Sequence, residues 1–147
     1  MDQPCEVAQR VRQIGPLPPQ IDRQRVTEYR AEKQPPIGRS WFRAIGALSN
    51  DKAVHQAALV MISDYSLLST VYYPHTSTNP FKDFMGASLD HAIWFHHQGR
   101  MDEWVLYDCD TPRSGGGRGL SRGFIWSQDG TLLASTAQES LMRLKRR

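Results

Sequence analysis

Between Asp51 and Tyr73 the chain reads DKAVHQAALVMISDYSLLSTVYY, with no glycine and no proline. Val54, Ala57, Ala58, Met61, Tyr65, Leu68 and Tyr72 recur at helical spacing, while Leu59, Val60, Ile62, Leu67 and Val71 fill most of the remaining faces. A helix apolar on nearly every side cannot lie on a surface; it has to be wrapped by other elements. The Ser-Asn-Asp before it supplies the entry signal, with Ser49 or Asn50 expected as the N-cap.

The wrapping material lies mostly downstream. After Pro74 and the polar stretch HTSTNPFKD come four strand-like runs, residues 84–97, 103–110, 119–127 and 131–144. The turns between them are HQGR, TPRSGGGRG and SQDG, the last carrying the Asp-Gly pair of a tight hairpin. Upstream, RSWFRAIGAL reads as one more short strand ending at Gly46. A long buried helix followed by an antiparallel meander is an α+β layout in which the sheet curls around the helix, the hot-dog fold. Six of the nine prolines fall before residue 37, in polar sequence that offers a core little to hold. Residues 1–36 are therefore expected to be an extended proline-rich arm or linker, and residues 37–147 the hot-dog domain.

Chain totals narrow the function classes. At 147 residues one core is the default, and no apolar run approaches the roughly 18 to 20 residues that a spanning helix needs. The N-terminal MDQPCEVAQRVRQIG has no signal-peptide apolar core, and Cys5 and Cys109 form neither a disulfide framework nor a zinc motif, so a cytosolic location is expected. A net charge of +3 and a pI near 9.1 suit an anionic partner. The arginines are dispersed and form no dense block, so nucleic acid and a phosphate-bearing small molecule are equally open on charge alone.

Four places invite a chemical reading. ASLDHAIWFHHQGR packs Asp90, His91, His96 and His97 into one run. On a single continuous strand Ser88, Asp90, Ala92, Trp94 and His96 share one face, and Leu89, His91, Ile93, Phe95 and His97 the other. Asp90 and His96 then stand about 20 Å apart, as do His91 and His97, whereas zinc ligands converge to about 2 Å from one ion. No metal site is expected there. Asp64 lies on the helix face of Ala57, Val60, Met61, Leu67, Leu68 and Val71; it is either satisfied by neighbouring donors or a general base whose pKa desolvation raises. PRSGGGRGLSRG carries Arg113, Arg118 and Arg122 among glycines but matches no nucleotide loop, and reads as a flexible connection or an anion-binding loop. Gln138 sits mid-strand with Ala134, Thr136 and Met142, as a core hydrogen bonder or a catalytic amide.

The stretches AALVMISDYSLLSTVYYPH, RSWFRAIGALSNDKAVHQ and SLDHAIWFHHQGRMDEWVLYDCDTPRSGGGRGLSRGFIWSQDGTLLASTAQES resemble the second hot-dog half of the type II acyl-CoA thioesterases, whose full chains carry two halves in tandem. The resemblance covers nearly everything from residue 39 onward. It implies hydrolysis of an acyl-CoA thioester by an activated water, without a metal, another cofactor or a covalent acyl-enzyme. It places the family's Asp of the helix "SD", the Ser two residues before "DH" and the Gln of "AQE" on Asp64, Ser88 and Gln138. In such a site Asp64 orients and deprotonates the water, and Ser88 and Gln138 hold it and the developing charge. Arg113, Arg118 and Arg122 are candidates for the CoA phosphates. Because the family's site lies where two halves meet, a lone half is expected to form a homodimer or to pair with another half. The C-terminal LMRLKRR lacks the SKL-type ending of peroxisomal import, which favours the cytosol.

Other functions stay open at this level. A non-catalytic hot-dog module could pair with a partner half or bind acyl-CoA without cleaving it. Nucleic-acid binding rests only on the basic pI and the arginine-bearing arm. A dehydratase or hydratase would want a histidine beside the catalytic Asp, a position for which His75 is the remaining candidate.

Overall fold

The computed structural model describes residues 21–75 and 79–145. They form one antiparallel sheet curled around a two-part helix. In chain order the elements are β1 (Ile21–Arg25), β2 (Ile37–Ala44), α1 (Lys52–Ser63), α2 (Leu67–Tyr72), α3 (Pro80–Asp83), β3 (Phe84–Ser88), β4 (Ala92–Phe95), β5 (Val105–Gly115), β6 (Arg118–Ser127) and β7 (Leu132–Leu144). The strands lie in the order β1-β2-β5-β6-β7-β3, with β4 also pairing β7. The α+β hot-dog layout expected from the residue pattern is the observed one.

β1 lies inside the stretch expected to be an arm. Ile21 to Arg25 pair with Ala44 to Ser40 as an edge strand, so the sheet begins sixteen residues before the expected boundary at residue 37; residues 1–20 of that arm lie outside the described residues. Polarity hid the strand. Arg23 faces inward and is buried, its guanidinium donating to Ser40 Oγ and Ser66 Oγ at 3.1 Å each and lying over the Phe42 ring. Burial, then the neighbouring Arg25, lowers the Arg23 pKa to about 10, which leaves it charged at neutral pH.

The helix is interrupted. Asp51, next after the expected Ser49 or Asn50, is the N-cap, its carboxylate accepting the Ala53 N–H. α1 ends at Ser63 with Asp64 as C-cap, and α2 restarts at Leu67. The break falls on Ser-Asp-Tyr-Ser, where Ser63 Oγ lies 2.7 Å from the Val60 carbonyl. Nor is the helix wrapped all round. His55, Leu59, Ile62 and Ser63 face the sheet, while Val54, Ala57, Val60, Met61 and Asp64 form an exposed stripe.

The core joins Leu59 and Ile62 of α1 and Leu67 of α2 to Phe42, Tyr107, Ile125 and Leu133 from the sheet. Sheet and helix approach closely where the sheet is bare of side chains. A Cβ at Gly123 would press on the Tyr107 ring and stand 2.6 Å from Thr136 Oγ1. Tyr107 is fully buried and donates to the Ser63 carbonyl, so it cannot move aside. Gly123→Ala should cost about 1 to 3 kcal/mol, read as a lower denaturant midpoint with an unchanged slope. The β5–β6 strands run further into the glycine-rich stretch than the sequence suggests, leaving only Gly116 and Gly117, both at positive φ, as a two-residue turn.

The run from Phe84 to His97 is two strands, not one. Ser88 lies opposite Ser140, but Ala92, four residues on, lies opposite Ala137, only three residues back. One extra residue bulges between them. Asp90 fills the gap in the ladder by accepting the Glu139 N–H at 2.6 Å. The bulge inverts the alternation, so Ser88 faces the helix while Ala92 and Trp94 face away, contrary to the single-strand parity.

Candidate active site

The helix break, the bulge and the middle of β7 meet on the concave side of the sheet. Asp64 is held there because α1 stops at Ser63. Ser88 is the last residue of β3, before the bulge, and Gln138 lies in β7 on the helix-facing side, opposite Ser121. Ser88 Oγ donates to Asp64 Oδ1 at 3.1 Å. The Gln138 amide nitrogen donates to Ser88 Oγ at 2.9 Å and to Ser140 Oγ at 3.2 Å. The structure thus brings Asp64, Ser88 and Gln138 together in one chain of hydrogen bonds.

A fourth residue joins them. His91, carried inward by the bulge, places Nδ1 2.8 Å from Gln138 Oε1 and Nε2 2.8 Å from Ser63 Oγ. Strict alternation had put His91 on the face opposite Ser88, so sequence reasoning missed it. The one local hint was Asp90, a poor strand residue in the middle of an apolar run. The other histidines lie elsewhere. His96 Nε2 meets Ser135 Oγ at 2.9 Å, His97 Nδ1 meets the Leu132 carbonyl at 2.9 Å, and His75 Nε2 meets Ser114 Oγ at 2.7 Å. His75 follows the C-terminal end of α2 and Asp64 precedes its N-terminal end, so His75 is not the partner that a dehydratase would need. Among the described residues no group of His, Cys, Asp and Glu converges on a point that could hold a metal ion.

Burial is uneven across the cluster. Gln138 is fully buried, but Asp64, Ser88 and His91 are exposed in the single chain. The desolvation expected around Asp64 is therefore not supplied by this chain's own sheet. The nearby tyrosines are better enclosed: burial, with the Asp64 carboxylate second, raises the Tyr65 pKa, and burial pushes Tyr107 well up. Cys109 is buried on the same inner face as Tyr107, and desolvation raises its thiol far above the usual range, which makes it inert.

The three arginines are not part of this cluster. Gly119, Ser121, Gly123 and Ile125 of β6 face the helix, so Arg118 and Arg122 alternate to the convex face, and Arg113 lies opposite the outward Leu120. Arg122 is held by Asp110 through two bonds of 3.0 and 2.5 Å, and Arg118 by Glu139 at 3.2 Å. With Arg39–Asp108 and Arg43–Asp22 also paired, the convex face carries ion pairs in place of a cationic stripe.

A curled sheet around an interrupted helix, with an Asp, a Ser, a Gln and a His joined on its open face, defines a single hot-dog half with a polar cluster at its uncovered side. The chain belongs to the acyl-CoA thioesterase family, whose model matches residues 11–141. It is 44% identical over 106 residues to mouse acyl-coenzyme A thioesterase 8, covering 71% of this chain and 32% of that one. It is 33% identical over 91 residues to the yeast peroxisomal acyl-coenzyme A thioester hydrolase 1, covering 61% of this chain and 26% of that one. Among solved structures, an acyl-CoA thioesterase II, TesB2, from Mycobacterium marinum superposes with a TM-score of 0.74 at 35% identity, over 86% of this chain and 50% of that one. The chain thus spans about a third of the length of the mouse relative and half of the solved one.

Proposed function

We propose that this chain hydrolyses acyl-CoA thioesters to a free acid and CoA when its open face is covered by a second hot-dog half, a copy of itself or another half. The observation that carries the reading is the hydrogen-bonded chain Asp64–Ser88–Gln138, on a family member whose relatives are named thioesterases. Ser88 fixes one oxygen of the Asp64 carboxylate and leaves the other to take a proton from water. The water oxygen attacks the thioester carbon as its proton passes to Asp64, while Gln138 and Ser88 hold the carboxylate in the orientation that receives it. Collapse breaks the C–S bond, and the departing thiolate recovers the proton from Asp64. No electrons leave or enter the system.

Covering the open face completes the site in two ways. It buries the stripe of Val54, Val60 and Met61, which are 38, 44 and 37% exposed, and it removes water from around Asp64, strengthening every charge interaction there. The competing reading, a module that pairs or binds acyl-CoA without cleaving it, draws support from that same exposure of Asp64. Free-thiol release separates the two: the enzyme turns over at least one acyl-CoA, and the module turns over none. Ser88→Ala should lower kcat by about 10-fold to 10²-fold with KM little changed, since the carboxylate then loses its orienting donor; wild-type turnover in that variant would remove Ser88 from the site.

No described helix is long and apolar enough to cross a membrane. A cytosolic location is proposed from the sequence reading. Imaging of the tagged protein should show diffuse signal; coincidence with a peroxisomal marker would contradict it.

A further inference from the structure

We propose that His91 is a positioning residue of this site: its Nδ1–H holds the Gln138 side chain with the amide nitrogen turned toward Ser88. The inference rests on the hydrolytic reading for its effect on turnover, and on proton counting for its geometry.

The counting starts from Asp64. A carboxylate only accepts, so the 3.1 Å contact spends the one proton of Ser88 on Asp64 Oδ1. Ser88 Oγ can then only accept at its second contact, and the 2.9 Å neighbour in Gln138 must be the NH2 group. Its second hydrogen points to Ser140 Oγ at 3.2 Å. The amide carbonyl is left facing His91 Nδ1 at 2.8 Å, and since a carbonyl has no proton to give, Nδ1 carries the hydrogen.

The far nitrogen is compatible with a protonated Nδ1. Ser63 Oγ lies 2.8 Å from His91 Nε2 and 2.7 Å from the Val60 carbonyl, and it has one proton. If Ser63 donates to Nε2 the ring is neutral; if it donates to Val60, the ring donates from both nitrogens and is charged. Both states accommodate the Nδ1–H that the Gln138 carbonyl requires.

A turned-over Gln138 amide would undo the arrangement. Its carbonyl oxygen would sit 2.9 Å from Ser88 Oγ with no proton between them, and its NH2 would face the N–H of the ring. The Asp64 carboxylate and the His91 N–H therefore select the same amide orientation from opposite ends. The bulge between β3 and β4 is what makes this possible, because it lets Ser88 and His91, three residues apart, reach the same glutamine.

His91→Asn keeps an N–H donor near the position of Nδ1, whereas His91→Gln places its donor near Nε2 and His91→Ala has none. Turnover of an acyl-CoA should fall about 10²-fold in kcat for His91→Ala and His91→Gln, with KM within a few-fold of wild type, and His91→Asn should recover most of the loss. Nitrogen-15 NMR of the wild-type ring should show Nδ1 protonated. Wild-type kcat in His91→Ala, no recovery in His91→Asn, or a neutral ring protonated only at Nε2 would each overturn the proposal. If the wild-type chain cleaves no acyl-CoA the hydrolytic reading fails, and the ring nitrogen pattern then decides the positioning geometry alone. The same measurement decides if His91→Ala does not fold.

Discussion

Replacing Asp64 by Asn should cut acyl-CoA turnover by about 10²-fold to 10⁴-fold, the range that a general base supplies. The substitution conserves shape. The Asn carbonyl can still accept the Ser88 hydroxyl that now meets Oδ1 at 3.1 Å, and Asp64 sits exposed after the last residue of α1, away from the core. Thermal unfolding, solution mass and affinity for a non-hydrolysable acyl-CoA analogue should therefore stay at wild-type values while kcat falls. Steady-state thiol release beside a melting curve checks this. Equal turnover in the Asn variant would assign the base elsewhere, and His91 would be the next group to test.

A comparably large effect is expected from Met61→Asp. Met61 lies one helical turn before Asp64 on the uncovered stripe, exposed in the single chain, so a carboxylate there leaves the fold of one half intact. In the proposed pair of halves the same position would be covered, and an unpaired charge in an interface costs several kcal/mol. In a symmetric homodimer the cost falls on both copies. The variant should run as a monomer by light scattering, with hydrolysis lost and the unfolding midpoint of the single chain retained. A Met61→Asp chain that keeps its mass and its turnover would place the pairing surface, or the need for one, elsewhere.

Much of this was legible in the residues, and the gaps have identifiable causes. The apolar density of residues 51–73 and the alternating runs after Pro74 led to the correct layers, because burial sets those patterns. Asp64 and Gln138 stood out as polar groups on apolar faces. Ser88 did not, since a serine at a strand end has no unusual signature, and it was found through the family's spacing. β1 was missed because one of its two inward residues is Arg23, whose burial depends on Ser40 and Ser66, both distant in sequence. His91 was missed because a single bulged residue inverts strand parity without altering composition. The helix break was missed because residues 63–66 carry neither the glycine nor the proline that marks most breaks. The arginines of the glycine-rich stretch, clustered in sequence, alternate onto the convex face, where Asp110 holds Arg122 and Glu139 holds Arg118.

The central claim is that Asp64, Ser88 and Gln138 form a hydrolytic site once a second half covers them. Its most direct test is release of free CoA thiol by the wild-type chain across short, medium and long acyl-CoA substrates, at protein concentrations spanning the single and doubled solution mass. The account predicts turnover that rises with the doubled species and is absent from the single one. A chain at doubled mass that releases no thiol from any acyl-CoA would contradict it.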